Sequence, residues 1–371
     1  MRESIQHFIN TLSQPTISFL ILFFLFFFIF PPNAWFHRIN RKLGLEALWT
    51  VKGGIAIFVS MTALFIFGGF DANFRGIILK PDNVPIILLL FGSIFFLWLS
   101  MHQAMENDRR LRGDEPPGEW VKEADRKILV WPDLVYIELI AMVLCMVLLL
   151  VWSIVLKAPL EEPADPSATP NPSKAPWYFL ALQEMLVYFD PWLAGVVFPT
   201  LIIVGLMAIP YMDTDRSTSG FYSYEKRRTF ISLFLFGWLL LWVYMIIVGT
   251  FLRGPGWNFF GPFERWDLHK VVALNNVNVS EIIYVKMLGQ TLPDSILIRE
   301  GPGILMVLVY FLVIPPLLAK TSLKGFFSRM GSVKYSFFMV FCLTALSLPL
   351  KMLSRWFLNL KYFIATPWFN I

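Results

Sequence analysis

The sequence predicts an all-α integral membrane protein: about eight transmembrane helices plus a short helix at the outer interface, with both termini outside. Three observations carry this expectation. First, 57% of the 371 residues are hydrophobic and only 15% are charged. Soluble domains average about 45–50% and about 25%, so this chain has too little polar surface to coat a soluble globule. Second, the apolar residues fall in runs close to the ~20 residues that a helix needs to cross the hydrocarbon. Third, Lys and Arg alternate in abundance between successive loops, as the positive-inside rule requires.

The runs, in order, are 16–30, 53–70, 86–101, 135–156, 194–212, 229–252, 304–319 and 335–350. The first, third, seventh and eighth are short for a span and need aromatic or proline-containing flanks. The first has one Arg before it and "PPNAWFHR" after it rather than a small-residue cleavage site, so it reads as a retained span and not a signal peptide. Loops 33–52, 102–132, 213–228 and 320–334 hold 18 of the 31 Lys and Arg, which makes them the inner loops. Residues 157–193 and 253–303 then lie outside with both termini.

Between the fourth and fifth runs, prolines stand at 159, 163, 166, 170, 172 and 176. Such a leader is extended and stiff. The stretch from Trp177 to the next proline, Pro191, is helix-compatible but too short to span, so it predicts a re-entrant or interfacial helix. Loop 254–270, "GPGWNFFGPFERWDLHK", is rich in Gly, Pro and aromatics and should lie flat on the outer interface.

The net charge of +5 is dispersed over loops, which points to membrane orientation and away from nucleic acid. Cys145 and Cys342 both fall in apolar runs, and no CxxC occurs. This argues against a c-type haem, an iron–sulfur cluster or a structural zinc held by this chain, and against a disulfide. The four histidines, His7, His37, His102 and His269, lie in loops or at span ends, and no helix carries two. A bundle that ligates b haem needs facing axial pairs, so any haem is expected from a partner, and no metal ligands are assigned here.

Carboxylates near membrane depth are functional suspects because a charge there is costly. Glu138 lies about one turn into the fourth run; the bland reading pairs it with Arg126 or Lys127. Glu184 lies in the short outer helix, where an interfacial polar role is the alternative. Asp133, after "WP", is expected to cap the fourth helix. The clusters "NDRRLRGDE" (107–115) and "EKRR" (225–228) read as solvated inner loops.

The order "WPDLVYIEL" (131–139), "EPADPSATP" (162–170), "APWYFL" (175–180) and "RRTFISLFLFGWLLLW" (227–242) resembles the C-terminal half of cytochrome b. It is most similar to subunit IV of cytochrome bf complexes. The resemblance covers about 131–252 and divides the chain into three expected parts. These are 1–120, three helices of unknown role; 121–253, the subunit IV-like core; and 254–371, the outer aromatic loop with two further helices.

The resemblance implies a membrane subunit, poor in haem ligands, of a bc/bf-type quinol:cytochrome c oxidoreductase in a bacterial cytoplasmic membrane. Such a subunit is not catalytic alone. It implies partners: a haem b-bearing subunit of cytochrome b N-terminal type, a Rieske 2Fe-2S protein and a c-type cytochrome, in a dimeric complex within membrane lipid. Quinol is the implied substrate, with menaquinol favoured by the altered motif described next.

In the family, the motif before the short helix is Pro-Glu-Trp-Tyr. Its aromatic pair shapes the outer quinol pocket and its Glu accepts a proton. Here Trp177 and Tyr178 match, and Ala175-Pro176 stands in place of Pro-Glu. Pro176 offers neither charge nor N–H, which makes Glu184 the candidate proton acceptor. Were 177–184 regular helix, Glu184 would return to the face of Trp177. Asp133 and Glu138 fall where the resemblance places an inner quinone or haem site. The alternative reading is a structural or assembly subunit of a respiratory complex with a degenerate quinol site. A transporter is disfavoured by the lack of a midplane charged cluster or inverted repeat.

Overall fold

The computed structural model describes residues 2–123, 129–156, 163, 165–167, 169–213 and 220–371. Among these the chain is helical, with only isolated β-bridges such as Val277–Leu360. Seven helices are long and apolar enough to cross a membrane. An eighth span forms if two helices joined at a 69° bend are counted together. The predicted all-α, multi-span fold class therefore holds.

The bent pair is α1 (Arg2–Leu12) and α2 (Pro15–Ile29), with Pro15 at the start of α2, where its missing N–H costs nothing. A short amphipathic helix, α3 (Ala34–Lys42), follows, capped by the Asn33 side chain. Next come α4 (Val51–Gly69), the short α5 (Ala72–Ile78) capped by Asp71, α6 (Val84–Arg112) and α7 (Gly118–Glu123). The span α8 (Val130–Val155) precedes the proline-rich leader. After it come α9 (Leu180–Met185), α10 (Leu193–Met212) and α11 (Tyr224–Leu252). A short helical turn, α12 (Glu281–Met287), is followed by α13 (Ile296–Lys320) and α14 (Lys324–Leu358).

The third, seventh and eighth runs were short only in their apolar stretch, whereas the first stays a 15-residue helix. Polar residues extend α6 to Arg112, and α14 begins at Lys324, where Gly331, with φ 75°, breaks the helix. His102 consequently sits inside α6 rather than at its end. Its ring stacks on Trp98 at 5.2 Å, and Nδ1 lies 2.7 Å from the Trp49 carbonyl.

Two sets of contacts separate the faces of the molecule. On one face Asn10 meets Phe263, Asn73 meets Glu264, Asn171 meets Gly256, Asp190 meets Asn370, and Val277 pairs with the tail at Asn359 and Lys361. On the other, Thr229 donates to the Pro32 carbonyl and Arg112 pairs with Glu225. The two terminal segments thus share a face with loops 171–190 and 254–292, as an even number of crossings requires.

The core lies where the Phe-rich α2 packs along α11. Phe19, Phe26 and Phe30 are buried against Phe236, Tyr244 and Met245. Phe26 and Phe236 meet edge to face at 5.6 Å, a geometry worth about 0.5–1.5 kcal/mol beyond area burial. The Tyr244 hydroxyl hydrogen-bonds Ser18 at 2.8 Å, which satisfies a polar group at depth.

The cluster at 107–115 is not simply a solvated loop. Asp108 is 2% exposed and accepts hydrogen bonds from the Ser223 hydroxyl (2.6 Å) and the Tyr224 and Glu225 amides (3.0 and 2.9 Å). The last turn of α6 therefore caps the N-terminus of α11, supplying the carboxylate that a helix start attracts. Asn107 is buried beside it, donating to Glu119 and the Tyr222 carbonyl. Arg109 and Arg112 of the same cluster do reach solvent.

Asp133 does not occupy a cap position. It lies within the first turn, and its carboxylate turns back to accept the Leu129 amide at 3.3 Å. None of the most apolar part of α8 is buried, whereas half of that of α11 is. Glu138 is exposed on α8, and its expected partners Arg126 and Lys127 lie outside the described residues.

Candidate functional site

The site is built around the end of the proline-rich leader. Pro176, with φ −51° and ψ 147°, turns the chain out of extended geometry, and its carbonyl accepts the Phe179 amide at 2.8 Å. Trp177–Phe179 is a tight three-residue turn that hands over to α9. The predicted 14-residue helix is thus shorter: α9 ends at Met185, and turns carry the chain to Asp190.

Three polar contacts fix this turn. Gln183 accepts the Ala175 amide at 2.8 Å and donates to the Ser173 carbonyl at 2.9 Å, folding the leader back on α9. Asn171 accepts the Gly256 amide at 2.7 Å, tying the leader to the aromatic loop. From below, α11 presses on the start of α9 at Gly249, where a Cβ would approach the Leu180 carbonyl at 3.3 Å.

Trp177 and Tyr178 project from this scaffold, 36% and 49% exposed, with their rings edge to face at 5.6 Å. Glu184 faces the opposite way. It is 2% exposed, and Arg253 grips it through Nε (3.0 Å) and Nη2 (2.5 Å), while Trp257 Nε1 donates at 3.0 Å. The geometry makes Glu184 the anion of a buried bidentate pair. It does not bring that carboxylate to the exposed aromatic pair, because the tight turn at 177–179 changes the rotation that regular helix would have given.

Beside the pair lies Lys174. Its ammonium donates to the Thr250 carbonyl at 2.8 Å and sits 5.3 Å from the centre of the Trp266 ring. Burial, and then the nearby Lys80, push its pKa down to about 8. Sequence reasoning missed Lys174, Thr250, Arg253 and Trp257. Lys174 was visible as the cation beside the aromatic motif, and Arg253 as the first charge after the sixth run. Their partners lie roughly 70 residues away in sequence, so nothing local links them.

Below α9, an apolar cavity of about 410 Å³ runs between α10, α11 and α14. Met185 and Phe198 border it at one end and Met212 at the other, with Gly205, Gly237 and Trp238 along its length. Among the described residues, no three His, Cys, Asp or Glu side chains converge as metal ligands would.

Fold and site together define a multi-pass helical membrane protein with a rigid aromatic turn on the face that carries its termini. Within it, residues 163–252 match the family model described as Cytochrome b(C-terminal)/b6/petD. From the leader through α11, then, the chain is similar to the cytochrome b C-terminal family. No curated protein and no solved structure matches the chain.

Proposed function

We propose that this chain is a membrane subunit of a bc/bf-type quinol-oxidising electron-transfer complex, and that it contributes one wall of the outer quinol pocket. The observation that carries the reading is the Trp177–Tyr178 pair. Two aromatic rings stand exposed at one face, inside the family-matched segment, on a turn held by Pro176, Gln183 and Asn171. Exposed aromatics on a rigid base are what an aromatic ligand stacks against.

The electron carriers come from partners: b haems on a cytochrome b N-terminal-type subunit, a Rieske 2Fe-2S protein and a c-type cytochrome, with the complex dimeric in a bacterial cytoplasmic membrane. The exposed α8, bearing Glu138 and Asp133, is the surface offered to the haem-bearing subunit. An ionised Glu138 left facing lipid would be costly, so the reading assigns it to an inner quinone or haem contact in the complex.

One observation favours the second reading, a structural subunit with a degenerate site: Glu184, the replacement proton acceptor, is fully engaged by Arg253 and Trp257. A single experiment separates the two. The complex is purified in mild detergent and menaquinol oxidation is assayed with wild type and Trp177→Ala. A loss of about twofold to tenfold, the scale of one stacking contact, is the expected result. Undiminished activity in the variant supports the structural reading, and a preparation without b haem overturns both.

A further inference from the structure

The residues around Lys174 contain an unmet polar demand. The Thr250 hydroxyl oxygen is buried and has no hydrogen-bond partner. Thr250 as a whole is 4% exposed. A buried hydroxyl left without a partner costs about 1–3 kcal/mol, so natural interiors fill such positions with a protein group, a water or a ligand. The neighbouring ammonium of Lys174 has three N–H donors. Among the described residues it spends one, on the carbonyl of this same Thr250.

The two groups are complementary. Lysine offers spare donors, and the hydroxyl can donate or accept. A ligand oxygen that hydrogen-bonded both groups would satisfy both. Their setting selects the kind of molecule that brings it. Trp266 covers the ammonium, and the Trp177–Leu180 turn lies against α11 at Gly249, next to Thr250. The oxygen is therefore offered at the edge of an aromatic-walled corner, three residues along the chain from Trp177.

We propose that Lys174 and Thr250 form the polar end of the outer site and bind a ring oxygen, carbonyl or hydroxyl, of a quinone-class ligand. The inference rests on the quinol-pocket reading and deepens it. It puts a cationic donor at the mouth where the related motif has a carboxylate, so this corner holds the ligand by hydrogen bonding and takes no proton from it while charged. The charged groups around Lys174 are Lys80 before α6, Glu184 on α9 and Arg253 at the end of α11; Thr250 and Trp266 contribute neutral faces. Burial lowers its pKa most, Lys80 and Arg253 lower it further and Glu184 raises it, which together bring it down to about 8.

The test uses the intact complex and a short-chain naphthoquinone, titrated by quenching of tryptophan fluorescence. Wild type, Lys174→Met, Lys174→Arg, Thr250→Val and Thr250→Ser are compared, each first checked for an unchanged melting temperature. Loss of a charge-assisted hydrogen bond in Lys174→Met should weaken binding about tenfold or more, and Thr250→Val about threefold to tenfold. Lys174→Arg and Thr250→Ser should stay near wild type. Wild-type affinity should fall as pH rises through about 8; Lys174→Met should lack this fall, and Lys174→Arg should stay flat. If wild type binds the naphthoquinone and Lys174→Met and Thr250→Val bind it equally well, the proposal is overturned and the quinol-pocket reading stands. If wild type shows no binding at any pH, that reading falls and takes the proposal with it.

Discussion

At the scale of single residues, two of the buried charges have opposite consequences. Glu184 and Arg253 share a bidentate contact, and Trp257 completes the carboxylate. Removing one partner of such a pair leaves the other charge stranded, at about 3–5 kcal/mol. Glu184→Gln should therefore lower the melting temperature in detergent markedly, and the variant reads stability before it reads proton transfer. Lys351, on α14, is the opposite case. It is 1% exposed with no hydrogen-bond partner, and its ammonium faces the rings of Phe189, Tyr362 and Phe363 at 5.0–5.6 Å. Cation–π attraction offsets only part of the desolvation of such a group. Lys351→Met keeps the length and removes the charge, so thermal unfolding should show equal or higher stability. A drop as large as that of Glu184→Gln would mean that the ammonium holds the tail in place.

At the scale of elements, the spans were legible because a membrane forces them to be: each needs a long apolar run whatever it packs against. What the runs hid was everything joined across distance. The acid that caps α11 comes from α6, at Asp108, and looked like part of a charged loop. The tight turn at Trp177–Phe179 was hidden because a helix-compatible pattern does not reveal Gln183 folding back onto the leader. The exposed aromatic pair itself was legible, since Pro-Trp-Tyr after a proline-rich leader is a local signal. Two predictions belong here. Gly303 lies where a Cβ would come within 1.8 Å of the Phe363 carbonyl, so Gly303→Ala should displace the tail from α13 and increase protease cleavage after Lys361. Cys145 is exposed on α8. If α8 docks on a partner subunit, Cys145 should react with a lipid-soluble maleimide in the isolated chain and be protected in the complex.

At the scale of the whole molecule, the face that carries α3 and the start of α11 is held by charge. His37 on α3 lies 3.9 Å from both Glu46 and Glu225, with Arg41 and Arg228 nearby. Burial, the largest influence, lowers its pKa below the ordinary 6.5. The unfolded chain then takes up the proton first on acidification. The contribution of His37 to stability is complete above about pH 6.5 and is lost as pH falls from there through the lower folded-state value. Melting temperature should decline between pH 7 and 5, and His37→Gln should flatten that decline. An unchanged slope in the variant would assign the effect to other groups.

The cap that α6 provides to α11 has a consequence for how such a chain is put together. A helix whose first turn is completed by a carboxylate from another segment is not finished by its own sequence, and here the donor segment lies outside the family-matched stretch. Residues 1–123 thus complete the family-matched segment from outside it, with 124–162 between the two. Two polypeptides, cut between 123 and 129 and produced together, should find each other in the membrane and co-purify, and Asp108→Ala, which removes a cap worth about 0.5–2 kcal/mol, should reduce the co-purified yield. The fused N-terminal unit would then act as a built-in assembly factor, one that reaches the membrane ahead of the segment it completes.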